Sequence, residues 1–461
     1  MRNPNLNVLS EDWLIDVTID EIQTKFNNHE LTSYELVLMY LSRIAKYDKL
    51  INSVLEVNPD CLTIAHALDE ERKISGPRSI VHGIPVILKD NIDTGDKMHT
   101  SAGSLALKDS YALKDSDVAR RLREAGAIIL GKANMTEWAN FMTYNMPNGY
   151  SSRGGQVLNP YGSKIDVGGS SSGSAAAVSA NLVCVSVGTE TSGSILSPAS
   201  QNSCVGIKPT VGLIGTKGII PISHSQDTAG PIARNVKDCV YLLNALANNN
   251  FDYTAYLEED IKGCRFGICR EGYFSYIKGY RFGVCREGLN AEKLKIFDSA
   301  LKSLASLGGI IKDTIIPTAK EKWNINVLLY EFKNGLNYYL SPKTLADIIA
   351  FNNQHKDKAL KYGQSILLEA EKTSGNLTES EYLTSLESDL YLSRTSGIDK
   401  IINEAEFDCL VFPNNFGAAI PAKAGYPSIT VPCGYTKANE PVGITFTGKA
   451  FSEPTLIKIA Y

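Results

Sequence analysis

The sequence is poor in most of the features that announce a specialised class of protein. In 461 residues no apolar run is long enough to span a bilayer, and the opening stretch MRNPNLNVLSEDWLID lacks the basic and apolar segments of a secretory leader. Cytoplasm is therefore the expected compartment. The formal charge of −4 is too small to draw in nucleic acid or an anionic membrane, so neither is expected as a partner. Histidine is scarce, and the six residues (29, 66, 82, 99, 224 and 355) share no pattern. The nine cysteines (61, 184, 204, 239, 264, 269, 285, 409 and 433) form no CxxC pair, and several lie inside apolar runs, as Cys184 does in LVCVSV. An odd number in that setting fits buried thiols rather than a disulfide framework; neither a metal nor a cofactor is expected.

What is present is an ordinary globular composition, 43% hydrophobic and 21% charged, sufficient for a large core. Thr18-Ile-Asp-Glu21 and Thr32-Ser-Tyr-Glu35 both fit the capping box, in which a threonine oxygen and a glutamate carboxylate satisfy each other's free N–H groups. Behind the second, Leu36, Met39, Tyr40, Arg43, Ile44 and Tyr47 recur at helical spacing. From about Val81 the pattern changes. GIPVILKDN reads as a strand ending in a charge, DSDVARRLREAG as a helix stopped by Gly126, and AIILGK as the next strand. Such alternation predicts a layered α/β domain with a largely parallel sheet, whose sites lie off the carboxyl ends of strands. Lys89 stands at such an end.

The stretch Gly168–Pro198 interleaves serine and glycine with AAAVSANLVCVSV. By composition alone a Gly/Ser-rich run is a linker, but its apolar middle needs burial. The predicted helix covers Ser171–Leu182 and the strand VCVSVG, so two tight turns flank a rigid pair. The turn Thr191-Ser192-Gly193-Ser194 would present consecutive N–H groups beside the Ser194 hydroxyl, an oxyanion hole next to a nucleophile. Further on, GIKPTVG and GIIPIS precede a turn at QDTAGPIAR. A helix follows at 291–307, where Leu294, Phe297, Leu301 and Leu304 share a face before Gly308 and Gly309, and apolar strand-like segments return at DCLVFP and GYPSITVPCGY. IKGCRFGICREG (261–272) recurs as IKGYRFGVCREG (277–288). Because the helix follows the second copy, that copy is expected in the sheet and the first as an edge strand or surface excursion.

These segments together resemble the amidase signature family, serine hydrolases with a Ser–cis-Ser–Lys triad. The resemblance is carried by GIPVILKDN, GGSSSGSAAAVSA, GTETSGSI, GIKPTVG, GIIPISHSQDTAGPIAR and AGYPSITVPCGY…PVGITFTG. It implies an α/β fold: a single large layered domain with a mixed β-sheet core covered by helices on both faces. An N-terminal helical region (about 10–60), a catalytic core (about 61–240), a variable helical section (about 241–405) and a C-terminal core segment (about 406–461) are expected. The last reads as truncated, because TLIKIAY looks like a helix just begun. By position, Ser194 would be the acylating nucleophile, Ser170 the bridging serine on a non-proline cis peptide, and Lys89 the base. Thr191, Ser192 and Gly193 would hold the oxyanion, with Ser171, Thr189 and Asp227 in support. Lys89 must be neutral to accept a proton; desolvation at a strand end and the positive end of the helix starting near Ser171 would both lower its pKa.

Within the family, SAGSLAL, RGGQ…NPY and SQDTAGPIAR are most like bacterial peptide amidases, which implies hydrolysis of a carboxylic amide, of the peptide C-terminal type, by a monomer or homodimer. Alternatives are the A-type subunit of a tRNA-dependent amidotransferase, working with partner subunits, and an inactive family member. Ser192 and Ser203 replace frequent glycines, and Ser197 stands where many members carry arginine. One competing reading exists: Gly169-Ser-Ser171-Ser-Gly173 fits the G-x-S-x-G nucleophile elbow, which needs a downstream histidine, here His224 or His355. Turnover is expected to survive His224→Ala and His355→Ala and to be lost in Lys89→Ala. The opposite result, in an amide hydrolysis assay, would overturn the Ser–Lys assignment.

Overall fold

The computed structural model of the chain describes residues 4–270 and 290–461. Eleven strands build one sheet: β1 Val54–Val57, β2 Pro85–Lys89, β3 Ile128–Ala133, β4 Val185–Glu190, β5 Val205–Lys208, β6 Thr228–Ala233, β7 Arg265–Cys269, β8 Ile310–Thr314, β9 Cys409–Pro413, β10 Ser428–Tyr435 and β11 Pro441–Thr447. Their spatial order is β1-β3-β2-β4-β6-β5-β10-β11-β9-β7-β8. Near one end β3, β2 and β4 run parallel, and at the other β9, β7 and β8 do. Between β4 and β9 every pairing is antiparallel. The sheet is thus mixed, and alternation of strands with helices accounts only for its flanks.

The antiparallel centre begins with β6, which the sequence reading takes for a turn. Gly230 and Pro231 lie inside it, and both residues ordinarily argue against a central strand. Their presence has a packing reason. A Cβ on Gly230 would clash with the carbonyl oxygen of Ile207, so only glycine lets β6 approach the neighbouring chain this closely. Pairing with β5 is confined to Ile232 and Ala233, beyond the proline.

The repeat also departs from expectation. Its first copy supplies β7, an interior strand hydrogen-bonded to β9 on one side and β8 on the other. It is neither an edge strand nor a surface excursion. Phe266 and Ile268 explain the placement, since both are completely buried. The second copy lies outside the described residues.

Helices cover the sheet on both faces, as β9 shows by alternation. Cys409 and Val411 enter the main core with Phe297, Leu301 and Leu304 of the Ala291–Ser306 helix. Leu410 and Phe412 point the other way, into a cluster with Ile398, Ile402 and Ile420. At the amino-terminal side both capping boxes form; the Thr18 and Thr32 hydroxyls accept from Glu21 and Glu35 N–H groups at 3.2 and 3.1 Å. Arg43, the polar residue on the Ser33–Tyr47 helix, is buried and donates to the carbonyls of Ser10 and Asn181.

The section between 320 and 405 is helical. Its Asn326–Leu340 helix puts Leu328, Phe332 and Leu336 into an apolar cluster with Trp138, Phe141, Ile220 and Ile222. Phe332 lies 4.9 Å from Phe141 and edge-on to Trp138 at 6.4 Å. This contact brings the helix against the loops that follow β3 and precede β6. The eight described cysteines are all free thiols. Among the described residues no helix is long and apolar enough to cross a membrane. Gly230→Ala should cost about 1–3 kcal/mol of stability, the usual range for overpacking, read as an earlier unfolding midpoint in urea; an unchanged midpoint would contradict the close-approach account.

Candidate active site

Lys89 ends β2, and its parallel neighbour β4 runs in register beside it, with Leu88 opposite Val187. Thr189 therefore arrives at the same sheet edge as Lys89. The lysine is fully buried, and its Nζ has three partners: Ser170 Oγ at 2.8 Å, Thr189 Oγ1 at 3.0 Å and the Thr189 carbonyl at 3.1 Å. Desolvation brings its pKa down from the ordinary 10.5 to about 7, against the opposing charges of Glu190 and Asp227. Lys132 and Lys208 are just as buried but differ in company. Lys132 donates to the Ile92 carbonyl and Thr100, and Lys208 to the Tyr426 carbonyl. Only Lys89 of these three meets a serine hydroxyl.

The serine-rich stretch folds back on itself around this lysine. The Gly169–Ser170 peptide is cis, and the Ser172–Ser179 helix starts two residues later. Ser171 sits between them and ties three segments together. Its N–H donates to the Ser194 carbonyl at 3.1 Å, and its hydroxyl donates to the Thr189 carbonyl at 3.0 Å and accepts from the Thr189 N–H at 3.2 Å. The two turns that flank the helix–strand pair are thereby joined directly. Ser170, Ser171 and Ser194 are all buried.

In the turn after β4, the left-handed position falls on Gly193 (φ 79°), so serine at 192 is accommodated without strain, whereas Ser203 itself adopts φ 55°. Glu190 holds this turn. Its carboxylate is buried and accepts from the N–H groups of Gly193 and Ile195 at 2.7 Å and of Leu196 at 3.0 Å. The Gly193 hydrogen expected to face an oxyanion is therefore engaged by a carboxylate. Thr191 is anchored separately, its hydroxyl donating to Asp227 Oδ1 at 2.5 Å. The other Asp227 oxygen accepts from Ile222 and Ser223 N–H at 2.8 and 2.9 Å. Desolvation pushes the Asp227 pKa up to about 6 despite these bonds, with the Glu331 charge acting in the same direction.

Several neighbours of the site escape the sequence reading. Glu190 is within reach of it, lying inside GTETSGSI, but a glutamate at a strand end carries no sign that it caps the next turn. Asn91, two residues beyond Lys89, donates to Thr189 Oγ1 at 3.0 Å. Asp90 is buried with Ser101, the Gly103 N–H and Arg153 around its carboxylate, which gives SAGSLAL and RGGQ a structural role behind Lys89. Asn415 and Ala418, from the loop after β9, flank Gly193; a Cβ there would lie 3.5 Å from each. The histidines of the competing reading go elsewhere. His224 is exposed, 3.4 Å from Glu331, and His355 faces the Phe351 carbonyl at 2.9 Å. Ser171, with its hydroxyl engaged by Thr189, has no histidine partner among the described residues. No group of three or more histidine, cysteine or acidic side chains among them is placed to hold a metal ion.

The chain that carries this buried lysine and these two serine turns is similar to known proteins along nearly its whole length. The Amidase family profile covers residues 35–457. The chain belongs to the amidase family. A protein described as a probable amidase of Arabidopsis thaliana is 43% identical over 463 residues, spanning 97% of this chain and 89% of the relative. The solved peptide amidase of Stenotrophomonas maltophilia is 38% identical with a TM-score of 0.87, covering 97% of this chain and 96% of that one. The A-type subunit of the glutamyl-tRNA(Gln) amidotransferase of Geobacter metallireducens is 29% identical over 490 residues, covering 97% and 96%. As a member of this family the chain is a hydrolase of amide bonds, and its single mixed sheet with helical layers is the fold of its structural relatives.

The Glu190 charge opposes the depression of the Lys89 pKa. Glu190→Gln removes that charge, keeps one acceptor for the turn, and should move the rising limb of the kcat/KM–pH profile of this amidase to more acid pH. A limb that stays in place or moves to alkaline pH would show that the two groups are not coupled.

Proposed function

We propose that this amidase hydrolyses a carboxylic amide, of the peptide C-terminal type, to the acid and ammonia through an acyl-enzyme on Ser194. The observation that carries the reading is the buried Lys89 Nζ 2.8 Å from Ser170 Oγ, at a pKa near 7. A neutral amine has two hydrogens and one lone pair. With both hydrogens on the Thr189 carbonyl and Oγ1, the lone pair faces the Ser170 hydroxyl, which is the arrangement of a base waiting for a proton.

The Ser194 Oγ attacks the carbonyl carbon, forming the C–O bond while the carbonyl π pair moves onto oxygen. Its proton passes to Ser170, whose own proton passes to Lys89. Backbone N–H groups of Thr191 and Ser192 face the oxyanion, with the turn shaped by Gly193 and held by Glu190 and Asp227. Collapse re-forms the carbonyl and breaks the C–N bond. The leaving nitrogen takes the proton back from Lys89 through Ser170 and departs as ammonia. Water then attacks the ester by the same relay, releasing the acid and restoring the Ser194 hydroxyl. Ser171 and Thr189 keep the relay aligned, and no cofactor enters these steps.

The peptide-amide substrate class is supported by the similarity to the Stenotrophomonas enzyme over almost the full length of both chains. A second reading, an amidotransferase A-type subunit, draws on the equally complete match to the Geobacter protein; it requires partner subunits and glutamine-dependent transfer. An inactive relative is disfavoured by the intact contact between Lys89 and Ser170.

The test combines a fluorophosphonate probe with ammonia release from simple, aryl and peptide amides. Label should map to Ser194 and vanish in Ser194→Ala, and the isolated chain should turn over peptide amides. Label on Ser171 would overturn the catalytic assignment, and turnover dependent on added subunits would favour the amidotransferase. Lys89→Ala should lower kcat/KM by roughly 10²–10⁴-fold, the usual effect of a general base. In the wild type kcat/KM should rise through about pH 7 as Lys89 loses its proton; a profile flat from pH 5 to 9 would exclude that base.

A further inference from the structure

Glu331 has no part in the chemistry above, yet it is one of the most completely buried acidic side chains of the molecule, 1% exposed. It lies on the Asn326–Leu340 helix, between the two groups of sequence motifs that carry the family resemblance. A carboxylate stays in such a place only when its lone pairs are satisfied. Here they are. Oε2 accepts from Ser223 Oγ at 2.5 Å, Ser225 Oγ at 2.9 Å and Ser225 N–H at 3.1 Å. Oε1 accepts from the Tyr382 hydroxyl at 2.8 Å and lies 3.4 Å from the exposed His224 ring.

The tripeptide wrapped around Glu331 is the one that Asp227 holds from the other side. Asp227 accepts from the N–H groups of Ile222 and Ser223, and its own N–H donates to the Ser223 carbonyl at 2.7 Å. Its remaining oxygen takes the Thr191 hydroxyl. A continuous path of short hydrogen bonds thus runs from Glu331 through Ser223 to Asp227, with Ser225 as a second anchor of the same loop, and from Asp227 to the turn that carries Ser192, Gly193 and Ser194. Remove Glu331, and the loop loses three anchors at once, among them the one that satisfies the buried Ser223 hydroxyl.

We infer that Glu331 is a positioning residue for the oxyanion turn, setting the Ser223–Asp227 loop so that Asp227 holds Thr191 in its reactive geometry. The inference rests on the Ser194 reading above. It assigns to a helix of the variable section a share in transition-state stabilisation, without contact with the substrate. A displaced oxyanion donor affects a charge that exists only in the transition state, so the loss should fall on kcat rather than KM.

The experiment measures kcat, KM, fluorophosphonate labelling of Ser194 and melting temperature for Glu331→Ala, Glu331→Gln, Ser225→Ala and Tyr382→Phe. Loss of one oxyanion donor lowers kcat roughly 10²-fold, and Glu331→Ala should approach that figure with KM and overall folding kept. Glu331→Gln, which can still accept from the loop, should recover part of the loss, and Ser225→Ala should lower kcat in the same direction. Tyr382→Phe removes a bond on the side away from the loop and should lower the melting temperature with kcat little changed. The inference is overturned if the Glu331 variants lose only melting temperature, if KM rises at constant kcat, or if Tyr382→Phe loses as much kcat as Glu331→Gln. Should Glu331→Ala fail to fold, Glu331→Gln and Ser225→Ala decide. Absence of label on Ser194 in the wild type would instead reject the active-site assignment itself.

Discussion

The burial of one ammonium group governs the rest of the active site. An ion the size of lysine's loses several kcal/mol of solvation on entering a protein interior, and the usual response is to give up its proton. Lys89 is placed where that response is useful. β2 and β4 must be parallel neighbours for Thr189 to accept twice from Lys89, and the serine-rich segment must fold back for Ser170 to reach the same Nζ. The helix–strand pair between the two turns is the spacer that makes this return possible. Its length is set by the distance from one sheet edge, down through the core and back.

Acidic side chains complete the design from outside. Glu190 and Asp227 each gather two or more backbone N–H groups of a turn, and Glu331 takes the Ser225 N–H together with the Ser223 and Ser225 hydroxyls. Buried turns leave donors unpaired, and a carboxylate with two oxygens is the most compact group for collecting them. The charges of Glu190 and Asp227 also hold the Lys89 pKa up, so organisation of the turn and neutralisation of the lysine pull against each other. A pKa near 7 is where desolvation and these charges balance.

How much of this is legible in the residues depends on the kind of signal each feature leaves. GIPVILK is an apolar run closed by a charge, and that pattern by itself puts Lys89 at a strand end. The threonine–glutamate pairs at 18–21 and 32–35 are local, with both partners inside one helical turn. β6 is hidden because Gly-Pro speaks locally for a turn, while the reason for glycine there is a backbone atom of another strand. Glu331 is invisible for a similar cause. Its partners lie about a hundred residues upstream, and a lone glutamate in an amphipathic helix reads as a solvated side chain. Periodicity reports which faces are apolar; it is silent about a charge whose burial is offset by long-range hydrogen bonds.

The interior position of β7 has a consequence for the economy of the chain. The sheet has one slot between β9 and β8, filled by β7, and the sequence at 277–288 repeats the β7 segment almost residue for residue. They differ where fit is judged: Cys264 and Ile268 are buried in the slot, and the second copy offers Tyr280 and Val284 at those places. A tyrosine is far larger than the cysteine it would replace, and valine gives up a methylene of packing that contributes about 0.5–1.5 kcal/mol. The first stretch is therefore shaped for this berth, and its side chains fill it. A substitution that carries Cys264 or Ile268 toward the sequence of the repeat works against the fit of an interior strand paired on both sides.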